Sequence, residues 1–166
     1  YLRELGVSKI DLMVSTHPHN DHFGGMRGVM QGVPTARVLM THIPEELTPT
    51  TVSFEKLVDY LAEHKISTGE AKAGDTYDLG GGGVLTVLGP QRDYDDLNNQ
   101  SLVCRVDFGA HSFLLTGDME APAEGDLLAA GVPLRADVLK VGHHGSRTSS
   151  SGDFLAAVDP DYAVVS

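Results

Sequence analysis

The 166-residue sequence predicts an α/β protein in which short buried strands alternate with helices. Three features of the chain lead to this prediction. Several apolar, β-prone runs, each about four to eight residues long, are followed directly by polar residues suited to metal chemistry. Residues 50–64 show the three- and four-residue spacing of an amphipathic helix. From residue 70 the hydrophobic period changes to that of strands separated by glycine-rich turns.

Composition is that of an ordinary globular protein, with 41% hydrophobic and 21% charged residues. This length is enough to bury one core, so the sequence predicts a single domain over residues 1–166. No apolar run approaches the length of a membrane span, and no signal peptide opens the chain. Cys104 is the only cysteine, which excludes an internal disulfide. The net charge of -11 disfavours a nucleic-acid partner only weakly, because bound metal ions supply positive charge locally.

The first apolar run, residues 10–15, is predicted to be a buried strand that carries a cluster of four side chains at its end. The cluster has the spacing H-x-H-x-D-H and consists of His17, His19, Asp21 and His22. Imidazole nitrogens combined with a carboxylate oxygen suit zinc, manganese or iron better than calcium or magnesium. Glycines at 24 and 25 allow a tight turn after the cluster. Ligands on such a turn can point in different directions and serve two metals.

The next elements are predicted to cover the sheet. Residues 26–31 are predicted as a short helix, and residues 36–40 as a second buried strand that leads to His42. No partner at a ligand spacing marks His42, so a role in the site is the less favoured interpretation. The helix at 50–64 is expected to bury the face that carries Phe54, Leu57, Val58, Leu61 and Ala62.

Hairpin strands follow. The glycine cluster at 80–83 is predicted as a turn rather than a phosphate loop, because no lysine or helix start follows it, and residues 84–88 form the next strand. Residues 101–108 alternate between apolar and polar and pair with residues 112–115. The second of these strands ends at Asp118, which repeats the geometry of the first cluster. We therefore expect Asp118 to be a ligand shared by two metals.

A third strand, residues 136–141, runs into His143 and His144, between a helix at 122–130 and a final helix that ends near residue 157. The last strand is predicted at residues 162–165. Spacing does not choose between the two histidines. We favour His144 as the metal ligand, with His143 as its supporting neighbour.

The glycine turn after these histidines leads to the start of the final helix. Three polar residues on it are candidates to bind a phosphate, namely Ser146, Arg147 and Thr148. Helix capping explains the hydroxyl residues at least as well. Arg147 is the better phosphate ligand, since capping does not require it.

The three strand ends resemble, in order and rough spacing, the motifs of the metallo-β-lactamase superfamily, whose fold is an αββα sandwich. Two strings, NNQSLVCRVDFGAHSFLLTGDME and DVLKVGHHGSRTSSS, are similar to the β-lactamase-like domains of the ComEC family of competence DNA-uptake channels. The resemblance covers almost the whole chain. It implies a soluble domain, on the extracytoplasmic side, that is a fragment of a larger bacterial membrane protein. It also implies that the first strands and the C-terminal end of the sandwich lie outside this chain.

This resemblance implies that His17 and His19 bind one divalent ion, and that Asp21 and His22 bind a second. Asp118 then bridges the two ions, and one of the paired histidines completes the shell. The superfamily usually places another histidine ahead of the Gly-Asp strand, where this chain has Asn99 and Ser101. Their presence favours manganese over zinc, because one nitrogen donor is lost. Both residues become candidates for substrate contact.

The resemblance further implies a metal-dependent phosphodiesterase or nuclease that hydrolyses DNA with a hydroxide bridging two metals. The catalytic groups would be Asp21, Asp118 and His144, the partners would be DNA and the rest of the channel, and no small-molecule cofactor is expected. Two alternatives remain. One is a hydrolase of another ester, such as a lactone or phosphorylcholine ester, and the other is a non-catalytic domain that binds metal and DNA.

Overall fold

The chain folds into four layers, in which two β-sheets pack face to face and helices cover the outer face of each sheet. The computed structural model describes residues 1–166. These layers confirm the predicted αββα sandwich. None of the helices combines the length and the apolar character that crossing a membrane requires.

Nine strands and five helices make up the layers. The strands are β1 (Met13–Ser15), β2 (Arg37–Met40), β3 (Ser67–Glu70), β4 (Thr76–Gly80), β5 (Gly83–Gly89), β6 (Val103–Phe108), β7 (His111–Leu115), β8 (Val138–Lys140) and β9 (Tyr162–Val164). The helices are α1 (Asn20–Phe23), α2 (Met26–Gly32), α3 (Val52–Glu63), α4 (Ala121–Ala130) and α5 (Gly152–Val158). Two short 3-10 turns occupy Glu45–Leu47 and Gly142–Gly145.

Strand direction brings the ends of several strands to one edge of the sandwich. The first sheet has the order β1-β2-β3 and is entirely parallel. The second has the order β4-β5-β6-β7-β8-β9, antiparallel from β4 to β7 and parallel from β7 to β9. A backbone hydrogen bond from Leu102 N to Thr16 O, 2.9 Å long, joins the two sheets just beyond β1. The polar residues that follow β1, β7 and β8 therefore meet at this edge.

Three apolar clusters separate the layers. One lies between the first sheet and α2 and α3, where Met30 and Leu61 are buried. The second lies between the sheets and includes Leu39 and Leu102, both fully buried. The third lies between the second sheet and α4 and α5. Burial of apolar side chains in these three layers is the main force that stabilises the sandwich.

The predicted buried face of α3 is wrong at two positions. Val58 is 45% exposed and Ala62 is also exposed, whereas Leu57 and Leu61 are buried. The helix contacts the sheet through a narrow face centred on this pair at i and i+4, and a residue one position further along lies about 100° around the helix. Tyr60, on the other flank of that pair, packs against the cluster instead.

Strand β3 was not among the predicted strands. Its sequence, STGE, contains no apolar residue, and the strand lies at the edge of the first sheet. Pairing with β2, with Val38 opposite Thr68, forms this strand without any hydrophobic pattern of its own. The glycine cluster forms the β4–β5 hairpin turn, as predicted, with Gly81 and Gly82 at positive φ.

A buried carboxylate fastens the start of α5. Glu124 on α4 is 1% exposed, and it accepts hydrogen bonds from the backbone amides of Ser150 and Ser151, the latter at 2.9 Å. Ser151 is also the N-cap of α5, with its hydroxyl accepting from Phe154 N. Glu124 thus satisfies amides that the first turn of a helix leaves unpaired, and it holds the loop that follows His143 and His144.

Replacing Leu39 with alanine should cost about 2–5 kcal/mol of unfolding free energy, because a fully buried side chain between the sheets leaves a cavity. Chemical denaturation measures this cost. The matched control is Leu155→Ala, at a residue 38% exposed on α5, for which we expect roughly 1 kcal/mol or less. Equal losses for the two variants would contradict the described packing between the sheets.

Replacing Glu124 with alanine should destabilise the chain by about 1–3 kcal/mol, since two partly buried amides lose their acceptor. Glu63→Ala, at an exposed position on α3, should change stability by roughly 0.5 kcal/mol or less. Hydrogen exchange at the amides of Ser150 and Ser151 should also accelerate in Glu124→Ala. Unchanged protection of these amides would show that the carboxylate does not hold the loop.

Candidate metal centre

The first cluster of predicted ligands is divided between a loop and a short helix. His17 follows β1 in the loop and is 1% exposed, and His19 is the residue that precedes α1. Asp21 and His22 lie within α1. The rings of His17 and His22 lie side by side, with 4.1 Å between their centroids. The sequence predicted a turn in this segment, and the structure shows a short helix.

The second predicted ligand, Asp118, lies at the end of β7 where the two sheets approach each other. The preceding Gly117 has φ 54°, and a Cβ atom there would lie 2.8 Å from the Ser101 side chain. Only glycine permits this approach. The amide of Asp118 donates to Ser101 Oγ at 3.0 Å, which fixes the loop that carries the carboxylate.

Two histidines in the 3-10 turn after β8 have left-handed backbone conformations. His143 has φ 44° and His144 has φ 53°. Residues other than glycine are uncommon in this region, and such strain is found at functional sites. The conformation points the two adjacent rings in different directions, with 6.3 Å between ring centroids.

Four of the predicted ligands come together. Asp21, His22, Asp118 and His144 each offer a donor atom within 4.8 Å of the others. Asp118 Oδ2 lies 3.1 Å from His22 Nε2 and 3.4 Å from His144 Nε2. The Nε2 atom of His144 lies 3.4 Å from Asp21 Oδ2. These donors come from both sheets, so the candidate centre forms only when the sandwich is closed.

The other two predicted ligands lie beside this group. His17 Nε2 is 3.0 Å from His19 Nδ1 and 3.8 Å from Asp118 Oδ2. Asp118 is therefore the carboxylate that reaches both sets of histidines, in the position that the sequence predicted for a shared ligand.

The electrostatics of the centre fit a cation. Asp118 is 2% exposed, and its Oδ1 atom has no hydrogen-bond partner. Burial, together with the neighbouring His22 and His19, lowers the pKa of His17 to about 3, and burial also lowers the pKa of His22. Both imidazoles are therefore neutral near pH 7 and have a lone pair to offer a metal. A buried carboxylate oxygen without a partner, surrounded by neutral imidazoles, suits a divalent transition-metal ion.

Two hydroxyls orient the buried imidazoles. Ser101 Oγ lies 3.2 Å and Thr16 Oγ1 lies 3.3 Å from His17 Nδ1. The Thr16 hydroxyl is also 3.4 Å from His22 Nδ1. Partners of this kind fix the ring orientation of a metal-binding histidine. Sequence reasoning missed Thr16, although a hydroxyl residue directly before the cluster was a visible signal.

Glu120 determines the position of His143. Its Oε1 atom lies 2.8 Å from His143 Nδ1 and accepts a hydrogen bond from Thr148 Oγ1, also at 2.8 Å. His143 is not part of the group of four donors, which contains His144 instead. His144 as the ligand stays a prediction, and of the two histidines only His144 lies with the other three donors. Sequence reasoning missed Glu120, which stands two residues after Asp118.

Two residues predicted to contact substrate are engaged inside the protein. Asn99 is 3% exposed, and its Oδ1 atom accepts from Glu120 N at 3.0 Å and from Ala123 N at 3.3 Å. Ser101 is 0% exposed and bonds the amide of Asp118. As a correction, we assign both a supporting role, because their polar atoms are not available to a substrate.

The remaining substrate candidates lie at the surface or close to it. Arg147 and Thr148 are exposed and Ser146 is half-buried. The hydroxyls of the latter two lie 2.9 Å apart. The ion pairs of the other arginines do not involve Arg147, so its guanidinium is available to an anion.

A lysine that sequence reasoning missed ties two of the loops together. Lys140 Nζ donates to Gly117 O at 3.3 Å and to Val141 O at 3.1 Å. Burial lowers the pKa of this lysine, while nearby Asp118 opposes the shift. The signal available was its place at the end of a strand that leads to the histidine pair.

His42 lies outside the centre, in agreement with the favoured interpretation. Its Nδ1 atom is 3.0 Å from Glu70 Oε2, and the groove it lines contains none of the predicted metal ligands.

Comparisons with known proteins identify the family. Residues 1–166 match the family model of the metallo-beta-lactamase superfamily. The chain is 31% identical over its whole length to ComE operon protein 3 of Bacillus subtilis and 32% identical over 99% of its length to competence protein ComA of Neisseria gonorrhoeae. It spans about a fifth of these relatives, covering 21% of each.

A solved structure shows the same fold. CmlA, a diiron beta-hydroxylase from Streptomyces venezuelae, superposes with a TM-score of 0.60 at 16% identity, over 94% of this chain and 35% of that one. At this identity the likeness concerns the fold alone. Together with the competence proteins, it confirms the resemblance that the three motifs indicated. The chain belongs to the metallo-beta-lactamase superfamily.

Proposed function

We propose that this chain is a metal-dependent phosphodiesterase that cleaves DNA as part of a bacterial DNA-uptake system. The relatives named as competence proteins support the biological setting. The family and the group of four donors support the metal-dependent hydrolysis. We also propose that residues 1–166 form a soluble domain of a larger membrane protein, on its extracytoplasmic side, since the chain spans 21% of these relatives.

The observation that carries the proposal is buried Asp118. Its Oδ1 atom has no hydrogen-bond partner, and its Oδ2 atom lies within 3.8 Å of three imidazoles, those of His17, His22 and His144. Asp21 is 63% exposed at its side chain and His144 is 41% exposed, so the centre opens to solvent on one side. Purely structural metal sites are closed, whereas catalytic sites keep a position for water and substrate. The open side therefore favours catalysis over a structural role.

Two divalent ions fit the donors. Asp21, His22, Asp118 and His144 would hold one ion, and His17 and His19 would hold the other, with Asp118 shared. Bound there, such ions supply Lewis acidity toward a phosphoryl oxygen and make water a nucleophile at neutral pH. We propose manganese ahead of zinc, because the sequence has Asn99 and Ser101, and no histidine, in the loop between β5 and β6.

Residues of the chain supply the rest of the chemistry. Arg147 can bind a phosphate oxygen through two parallel N–H groups, which fixes the position of the diester. Ser146 and Thr148 provide hydroxyl donors beside it. Lys140 holds the loops of Asp118 and His144 in register through their carbonyl groups, and Glu120 keeps His143 from turning into the centre. Positioning of this kind lowers the barrier to reaction by fixing reactants in place.

Replacing His22 with alanine should weaken manganese and zinc binding at least about tenfold, since loss even of a supporting residue at a metal site costs about 10–100-fold. Isothermal titration calorimetry measures the affinity and stoichiometry. The control is His64→Ala, at an exposed histidine that bonds Tyr60 O of its own helix, and it should bind metal normally. Unchanged affinity in His22→Ala would rule out the proposed ligand set.

Replacing Asp21 or Asp118 with alanine should lower the rate of DNA cleavage at least about 100-fold, because each removes a carboxylate of the centre. The assay follows fluorescently labelled single- and double-stranded DNA with manganese, zinc or chelator. Asp153→Ala, at an exposed position on α5, should cleave as the original chain does. Cleavage that persists in chelator, or metal binding without cleavage by the unmodified chain, would overturn the nuclease proposal.

A further inference from the structure

A groove beside the candidate metal centre is lined by two basic side chains. It lies between α2 and α3, has a volume of about 320 Å³, and carries Arg27 from α2 and Lys56 from α3. No acidic residue is among the eight that line it, although the chain has a net charge of -11. Such a local excess of positive charge attracts anions whatever the sign of the whole protein.

Neither cation is neutralised by a carboxylate of the chain. The ion pairs that lysines and arginines make with acidic side chains use Lys9, Lys72, Arg92, Arg105 and Arg135. Arg27 and Lys56 are both exposed and are absent from these pairs. Their charges are therefore available to a ligand.

Chain topology places the groove at the edge of the sandwich that holds the metal ligands. Strands β1, β2 and β3 are parallel, so the helices between them run back in the opposite direction. The first turn of α2 and the first half of α3 thus lie near the C-terminal end of β1, which leads to His17. Phe23 and Gly24, the two residues directly after His22, form one end of the groove.

The walls of the groove are fixed in place. Phe23 packs edge-to-face against Phe54, with ring centroids 5.5 Å apart, and this contact joins α1 to α3. Gly28 on α2 also lines the groove, and a Cβ atom added there would meet nothing within 4 Å. An open surface bounded by rigid walls is a shape that an extended chain of phosphates can enter.

We propose that this groove binds the phosphate backbone of the nucleic-acid strand whose phosphodiester lies at the metal centre. The inference deepens the proposed function and rests on it for the identity of the ligand. Arg27 and Lys56 would each neutralise one phosphate, and Ser53, which also lines the groove, offers a hydroxyl donor. Contacts to phosphates position a strand without reading its sequence, so the groove would bind strands of any sequence.

The sharpest test adds one negative charge to the groove without disturbing the fold. Gly28→Glu introduces a carboxylate at an open helical position, where glutamate is a better helix former than glycine. Gly125→Glu in α4 is the matched control: it is also an exposed helical glycine with nothing within 4 Å, it lies on the opposite outer layer, and its change in net charge is the same.

Binding of a labelled single-stranded oligonucleotide is measured in chelator, so that cleavage does not interfere. We expect Gly28→Glu to bind roughly tenfold more weakly at low salt, because the added carboxylate repels phosphates and competes with them for Arg27 and Lys56, and Gly125→Glu to bind as the unmodified chain does. Equal affinity of the two glutamate variants would overturn the proposal.

A second comparison removes the cations. The double variant Arg27→Gln, Lys56→Gln should flatten the dependence of log affinity on log salt by about 1.4, since each lost phosphate contact contributes about 0.7 for a single strand. The control Lys9→Gln, Arg135→Gln has the same change in net charge and should keep the original slope. An unchanged slope in the first variant would also overturn the proposal.

Two further experiments separate failure of the groove proposal from failure of the proposed function. Binding to phosphatidylglycerol vesicles is compared in the same variants, and a loss of vesicle binding with intact oligonucleotide binding would assign the groove to a membrane surface and overturn the proposal. Hydrolysis of bis(4-nitrophenyl) phosphate by the unmodified chain with manganese tests the proposed function by itself. Absence of hydrolysis would contradict the phosphodiesterase proposal. The binding measurements in chelator would still test whether the groove binds the nucleic-acid strand.

Discussion

The buried carboxylate of Asp118 is the constraint on which the rest of the site depends. An ionised carboxylate that is 2% exposed, with one oxygen lacking any hydrogen-bond partner, is costly unless a cation pairs with it. The neighbouring His17 and His22 do not supply that charge at neutral pH, because burial lowers the pKa of each. A divalent ion resolves both problems at once, since it neutralises the carboxylate and takes up the imidazole lone pairs.

Placing that carboxylate requires two sheets rather than one. Asp118 comes from the end of β7 and His22 from the helix after β1, so the 3.1 Å between them spans the interface of the sandwich. The approach is made possible by Gly117 and is strengthened by the hydrogen bond from Leu102 N to Thr16 O. The apolar layer between the sheets therefore stabilises the fold and the donor geometry together. A change that loosens this layer would disturb metal binding from a distance, without altering a ligand.

The sequence predicts those parts of the molecule whose local pattern agrees with their final environment. The strand that leads to His17 and the helix around Leu57 and Leu61 have such patterns. The candidate metal ligands from His17 to His22 have a spacing that chance rarely produces. Strand β3 was not predicted, because it has no apolar residue and forms only through pairing with β2. The roles of Glu120 and Thr16 were not predicted either. Glu120 contacts the ring of His143, and Thr16 contacts the ring of His17, only in the folded chain.

The chain is acidic, yet its proposed substrate is an anion, and the distribution of its positive charges is compatible with both. The net charge is -11, and several of the chain's cations are held by carboxylates, as in the pairs of Arg135 with Asp159 and Arg92 with Asp126. The cations left without a carboxylate include Arg147, on the loop after His144, and Arg27, five residues after His22. Two unpaired arginines therefore lie close in sequence to candidate ligands, while others, such as Arg37 at the start of β2, do not. Under the proposed function, the acidic surface would repel a polyanion elsewhere and favour its approach where Arg27, Arg147 and the candidate metal ligands lie.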